Sequence, residues 1–150
     1  MDFFPIRLRF PFPKLTDANH RKTSPESPHY NCFGWAILGR EVLMGPKDGW
    51  FWPADVPLDL RLSTFHLLLD ALDFQRCESG DPELDFDRVL LYGSGENVTH
   101  AARQLESGKL TSKRGIFGDD IEHDTADAIT GGEYFEILAY FRRRKLTESN

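Results

Sequence analysis

Two cysteines and five histidines are the side chains here with the widest chemical range, and Cys32 and His100 stand out among them. Cys32 lies in "PHYNCFGWAILG", after a proline-rich approach and at the start of an apolar run. A thiol at the first turn of a helix meets exposed backbone N–H groups and the positive end of the helix dipole, which favour the thiolate. The N–H groups of Cys32 and Phe33 would then also serve as an oxyanion site. A small buried structural thiol is the alternative for the same position. Cys77, in "FQRCES", has no helix start after it and reads as structural.

A nucleophilic cysteine needs a base on a separate element. His100 opens the predicted strand "VTHAARQL", and Ala101 and Ala102 beside it leave room around the ring. His123 in "DIEH" is the alternative base or orienter, on a predicted loop. His20 and His29 lie in the lead-in and rank lower, and His66 reads as a structural or surface residue of a helix. For an orienting group, a hairpin about Ser107-Gly108 places Gln104 near Lys109 and His100 opposite Lys113. Ser112, Lys113, Asp119 and Asp120 would then lie close to His100. Tyr30, Asn31, Trp35, Trp50, Trp52 and Arg103 are the candidates for substrate contact, with Trp50 and Trp52 as a cleft wall. No close ligand pair such as CxxC or HxxxH occurs, so no metal is expected. Phosphate-loop, dinucleotide and GxSxG motifs are absent too, and no cofactor is expected.

The elements that would hold these residues follow from periodicity. Pro5, Pro11, Pro13, Pro25 and Pro28 make residues 1–30 an extended lead-in, with an edge strand where Ile6, Leu8 and Phe10 alternate with arginines. A helix from Cys32 to about Met44, N-capped by Asn31, stops at Gly45-Pro46. A second helix, capped by Ser63, runs through "TFHLLLDALDF" to about Arg76. "FDRVLLY", "VTHAARQL" and "KLTSKRG" form an antiparallel meander turned by "GSGEN" and "ESG". "DDIEHDTADAI" is a loop with a short helix. "EYFEILAYFRR" is the last strand, and Arg142 to Lys145 form a solvated basic end. Helices first and strands later suggest an α+β fold.

The chain has 150 residues and suits one domain over 1–150 with a core of its own. Its net charge of −6 argues against a nucleic-acid partner. No apolar run reaches the ~18 residues of a membrane span. "MDFFPIRLRFPFP" lacks the layout of a signal peptide, so a cytoplasmic location with reduced thiols is expected. The oligomeric state has no sequence signal.

The segments "TSPESPHYNCFGWA", "GWFWP", "THAARQLESGKLTSKRG" and "DDIEH" resemble a family of uncharacterised, mostly bacterial domains. The resemblance covers about residues 23–144. That family looks like a distant relative of the papain-like NlpC/P60 and CHAP hydrolases. The resemblance implies a papain-like α+β fold, with N-terminal helices packed on a small antiparallel sheet. It also implies Cys32 as nucleophile and His100 as base. Ser112 or Lys113 stands where those enzymes carry His, Asn, Gln or Asp. The implied function is a cysteine-dependent hydrolase or acyl-transfer enzyme acting on an amide of a peptide or protein. A non-catalytic binding or immunity-type module and a deamidase- or transglutaminase-like enzyme are the alternatives.

Overall fold

Val89-Leu90-Leu91-Tyr92 is an apolar run that strict alternation would not produce, and all four residues are buried. Such a run needs cover on both faces. It lies in β3, near the middle of a seven-stranded sheet. A computed structural model describes residues 12–146 of the chain. The edge strand expected at Ile6, Leu8 and Phe10 lies outside the described residues. The strands are β1 His20–Ser24, β2 Gln75–Cys77, β3 Phe86–Ser94, β4 Asn97–Gln104, β5 Leu110–Lys113, β6 Asp120–His123 and β7 Glu136–Arg144. Their spatial order is β1-β6-β5-β4-β3-β7-β2, and every pair is antiparallel. Among the described residues the helical elements are α1 Leu62–Ala71, a π-helical turn Gly34–Leu38 and a 3-10 turn Ala126–Ile129. Among the described residues no helix is long and apolar enough to cross a membrane.

This β-rich frame overturns the expected papain-like α+β fold of N-terminal helices on a small sheet. Three local readings account for the difference. The first helix ends at Gly39, whose left-handed φ of 66° closes it six residues before Gly45. The second ends at Ala71, and "QRC", read as its last turn, is edge strand β2. Asp73, at φ 68°, reverses the chain between them. Finally, "HRKTS", read as part of the extended lead-in, and "DIEH", read as a loop, pair with each other as β1 and β6. These strands are short and polar, and partners distant in sequence supply their ladders. Hydrophobic alternation therefore does not reveal them.

Each sheet face has its own core. Val89, Leu91 and Ala101 pack with Cys32, Phe33, Ala36, Ile37 and the α1 residues Phe65, Leu68 and Leu69. Leu90, Tyr92 and Ala102 pack on the opposite face with Leu110, Ile121, Ile129 and Tyr134. Ser63 lies inside α1 rather than at its cap. The Asp59 carboxylate instead accepts hydrogen bonds from the Arg61 N–H and the Thr64 hydroxyl. The basic end is not a solvated tail. Arg142 and Arg143 sit in β7 and pair with Glu83 and Asp87, at 2.6 and 2.9 Å.

The first helical turn lies hard against the returning chain. A Cβ on Gly34 would come 2.0 Å from the Val42 carbonyl oxygen. Gly34→Ala is expected to destabilise the protein by about 1–3 kcal/mol. Urea unfolding should show a lower midpoint at unchanged m-value.

Candidate functional site

Asn31 fixes where the Cys32 turn begins. Its Oδ1 accepts from the Gly34 N–H at 3.2 Å, three residues on, as an N-cap does. The same oxygen accepts from the Met44 N–H at 3.0 Å, and Nδ2 donates to the Met44 carbonyl at 2.7 Å. Arg103 holds the other end. It reaches across from β4 and donates from Nε to the Ala36 carbonyl at 3.0 Å and from Nη2 to the Ile37 carbonyl at 3.4 Å. Both residues, expected to touch substrate, are engaged in positioning the turn. The turn is wide, with the Gly39 and Arg40 N–H groups both returning to the Gly34 carbonyl. Single π-turns of this kind recur at functional sites.

Cys32 sits where the sheet divides. β4 and β5 pair only at Arg103–Thr111 and Gln104–Leu110. Just beyond, the Leu105 N–H donates to the Lys109 carbonyl at 2.7 Å. Alternate residues of a strand point their N–H groups the same way, so Ala101's also faces the β5 side. By then β5 has left, and the N–H meets the Cys32 sulfur instead, as do those of Cys32 and Phe33. These donors favour a thiolate, but burial outweighs them and pushes the thiol up to about 11. At neutral pH the sulfur keeps its proton.

His100 approaches the same gap from the other face, since it lies beside Ala101 and alternates with it. It is fully buried. Its ring stacks on Tyr134, with centroids 3.8 Å apart and planes 7° from parallel, and Tyr92 lies at 5.6 Å. Neither ring nitrogen has a hydrogen-bond partner. The Cys32 sulfur is therefore not bonded to it. Burial, with His123 as a lesser influence, holds its pKa well below the usual histidine value. The structure thus brings Cys32 and His100 to the two sides of one division in the sheet, as a neutral thiol and a neutral imidazole.

Ser112 pairs with His123 rather than with His100. Its hydroxyl donates to Nε2 at 2.8 Å, while Nδ1–H donates to the Thr125 carbonyl at 2.8 Å. Both residues are fully buried. "DIEH" was expected to be a loop, and its place as β6 is what brings His123 opposite β5. Lys113 also does not stand opposite His100, because β5 leaves β4 after Thr111 and continues on β6 alone. Its ammonium donates to the carbonyls of Ser27, Gly115 and Ile116 at 2.8, 2.8 and 3.1 Å and lies over the Tyr30 ring. The Tyr30 and Ser24 hydroxyls both donate to Asp120 Oδ2. Asp119 forms a two-point pair with Arg114, at 2.7 and 2.9 Å. None of these groups orients His100.

The tryptophans divide in the same way. Trp35 donates to the Thr111 hydroxyl at 3.0 Å and so ties the Cys32 turn to β5. Trp52 packs edge-on against Phe65 and donates to the Pro57 carbonyl. Trp50 lies beneath Lys47 and against Gly45. Tyr134, the closest neighbour of His100, had no sequence signal, because its place depends on how the 126–135 segment folds back on the sheet. Among the described residues no group of three or more His, Cys, Asp or Glu gathers as metal ligands.

The histidines make stability depend on pH. Burial lowers the folded pKa of both His100 and His123. As pH falls through about 6.5, the unfolded chain binds protons first, so stability is full above that value and declines below it. Two such groups give a slope of up to about 2.7 kcal/mol per pH unit. Urea unfolding between about pH 7 and 5 should show this decline, and His100→Phe should roughly halve it. Ser112→Ala leaves the buried His123 Nε2 without its donor. It should cost about 1–3 kcal/mol at neutral pH, read as a lower midpoint in the same titration.

No curated protein and no solved structure matches the chain. Residues 21–142 match a family described as Domain of unknown function (DUF7689). That span holds Cys32, His100, Ser112, His123 and Tyr134 together with five of the seven strands in full, β1 and β7 entering it only in part at its two ends. The chain therefore belongs to the DUF7689 family.

Proposed function

We propose that this protein is a cysteine-dependent hydrolase or acyl-transfer enzyme acting on an amide or ester of a peptide or protein. Cys32 is the nucleophile and His100 the base. The observation that carries the reading is the buried imidazole of His100, with neither nitrogen satisfied, one residue from the N–H that meets the Cys32 sulfur. An unsatisfied buried polar group costs about 1–3 kcal/mol. Core packing alone gives no reason to keep it, whereas a proton acceptor awaiting its partner does. Catalytic hydrogen bonds are often long or misaligned until substrate arrives.

In the reaction, His100 takes the Cys32 proton as sulfur bonds to the substrate carbonyl carbon. The carbonyl π bond opens to an oxyanion, held by the N–H groups that now face the sulfur. Collapse breaks the bond to the leaving amine or alcohol, which takes the proton back from His100. Water, deprotonated by the same imidazole, then attacks the thioester and restores Cys32. An amine in place of water gives transfer, and a side-chain amide as substrate gives deamidation. This is the chemistry of the NlpC/P60 and CHAP hydrolases, carried on a β-rich frame.

One observation favours a second reading, a non-catalytic binding or immunity-type module. Cys32 is only 7% exposed and its thiol is neutral. Cys77 provides an internal reference, as a half-buried thiol whose pKa is also raised. With a thiol-directed peptide electrophile, Cys32 should label faster than Cys77. His100→Ala should slow Cys32 by about 10²-fold and leave Cys77 unchanged. If Cys32 labels no faster than Cys77 from about pH 6 to 9, the catalytic reading is lost and the binding module stands.

A further inference from the structure

The turn that starts at Cys32 ends beside a cavity of about 300 Å³ that plays no part in the chemistry above. Ile37, Leu38, Val42 and Phe51 form its apolar walls, and Arg40 and Arg143 line it with them. The volume is at the small end of the range for ligand sites, roughly 300–1,000 Å³. Phe51 is 45% exposed, so a large apolar face is left open to whatever enters. The chain pins this wall in place, with the Phe51 N–H donating to the Leu43 carbonyl at 3.0 Å and its carbonyl accepting from the Gly45 N–H at 3.1 Å.

The charge balance at this cavity is positive. A helix end normally presents free carbonyls and a negative field. Here Arg103 already donates to the Ala36 and Ile37 carbonyls, and Gly39 and Arg40 return their N–H groups to Gly34. Arg143 donates to Asp87 and to the Leu72 carbonyl, but Asp87 also serves Arg103. One carboxylate thus faces two guanidinium groups. Arg40 is exposed, and among the described residues it has no salt-bridge partner. A guanidinium matches a carboxylate through two parallel N–H donors.

We infer that this cavity binds a carboxylate carried on a short apolar group, with the tail against Ile37, Val42 and Phe51 and the charge on Arg40. The same chemistry belongs to a small free acid and to the C-terminal residue of a peptide. The site is at the opposite end of the turn from Cys32, so it stands whether or not that thiol is catalytic.

Titration followed by NMR or calorimetry decides the matter. Phenylacetate represents the free acid and acetyl-leucine the peptide C-terminus. Phenylacetamide and acetyl-leucinamide are the uncharged controls. At least one acid should bind saturably, and its amide should bind about tenfold or more weakly. The better acid identifies the source. Arg40→Gln, at an exposed position, should weaken the acid about tenfold and leave the amide unchanged. Val42→Phe, which fills the cavity, should abolish both. Equal binding of acid and amide, unchanged binding in Arg40→Gln, or no saturable response to either acid overturns the assignment.

Discussion

The arrangement turns on one backbone donor, the N–H of Ala101. Two residue pairs tie β4 to β5, after which β5 continues on β6 alone, its partner along its whole length, and leaves that N–H without a strand partner. A buried amide needs an acceptor. The Cys32 sulfur lies on that side, where the Ala101 N–H favours its thiolate against burial, and a helical turn docked on the sheet brings it there. Asn31 at one end of the turn and Arg103 at the other fix its position. Gly34 allows the close approach to Val42, and Gly39 ends the turn before it would overrun the sheet.

Around the gap, polar groups are buried in number and almost all are paired. Ser112, His123 and the Thr125 carbonyl form one chain. Ser24, Tyr30 and Asp120 form another. The Lys113 ammonium sits among three carbonyls. Low local dielectric strengthens such bonds and penalises any group left out. Asp120 Oδ1 and Gln104 Oε1 are left without a partner, and His100 is left out at both ring nitrogens, held by ring stacking on Tyr134 instead of by a hydrogen bond. Stacking restrains the ring plane and leaves both nitrogens available.

A second network links the Cys32 turn to β7, next to the edge of the sheet. Asp87 on β3 joins Arg103 of β4 to Arg143 of β7. Desolvation works against the Asp87 carboxylate, and the two guanidinium groups overcome it, so its pKa is lowered. The guanidinium of Arg103 then reaches the turn, so the last strand and the turn share one charge cluster. Arg142, from the same basic run, joins Arg88 on Glu83.

Local sequence determined the pieces whose cause is local. Asn31 capping the Cys32 turn, the apolar β3, the hairpin at Gly95-Glu96 and the alternating last strand were all legible, because neighbouring residues dictate them. Of the candidate residues, Cys32, His100, Ser112 and His123 lie at or beside the gap. Their partners were not legible. Ser112 bonds to His123 and not to His100, Asp119 to Arg114, Lys113 to backbone carbonyls, and Tyr134 stacks on His100. Those pairings depend on where β5 leaves β4 and on β1 and β6 finding each other about 100 residues apart. The short strands "HRKTS" and "DIEH" have too little apolar alternation to announce themselves, and only the closed hydrogen-bond ladder makes them strands. That long-range pairing is why a chain that reads as helices on a small sheet folds as a seven-stranded one.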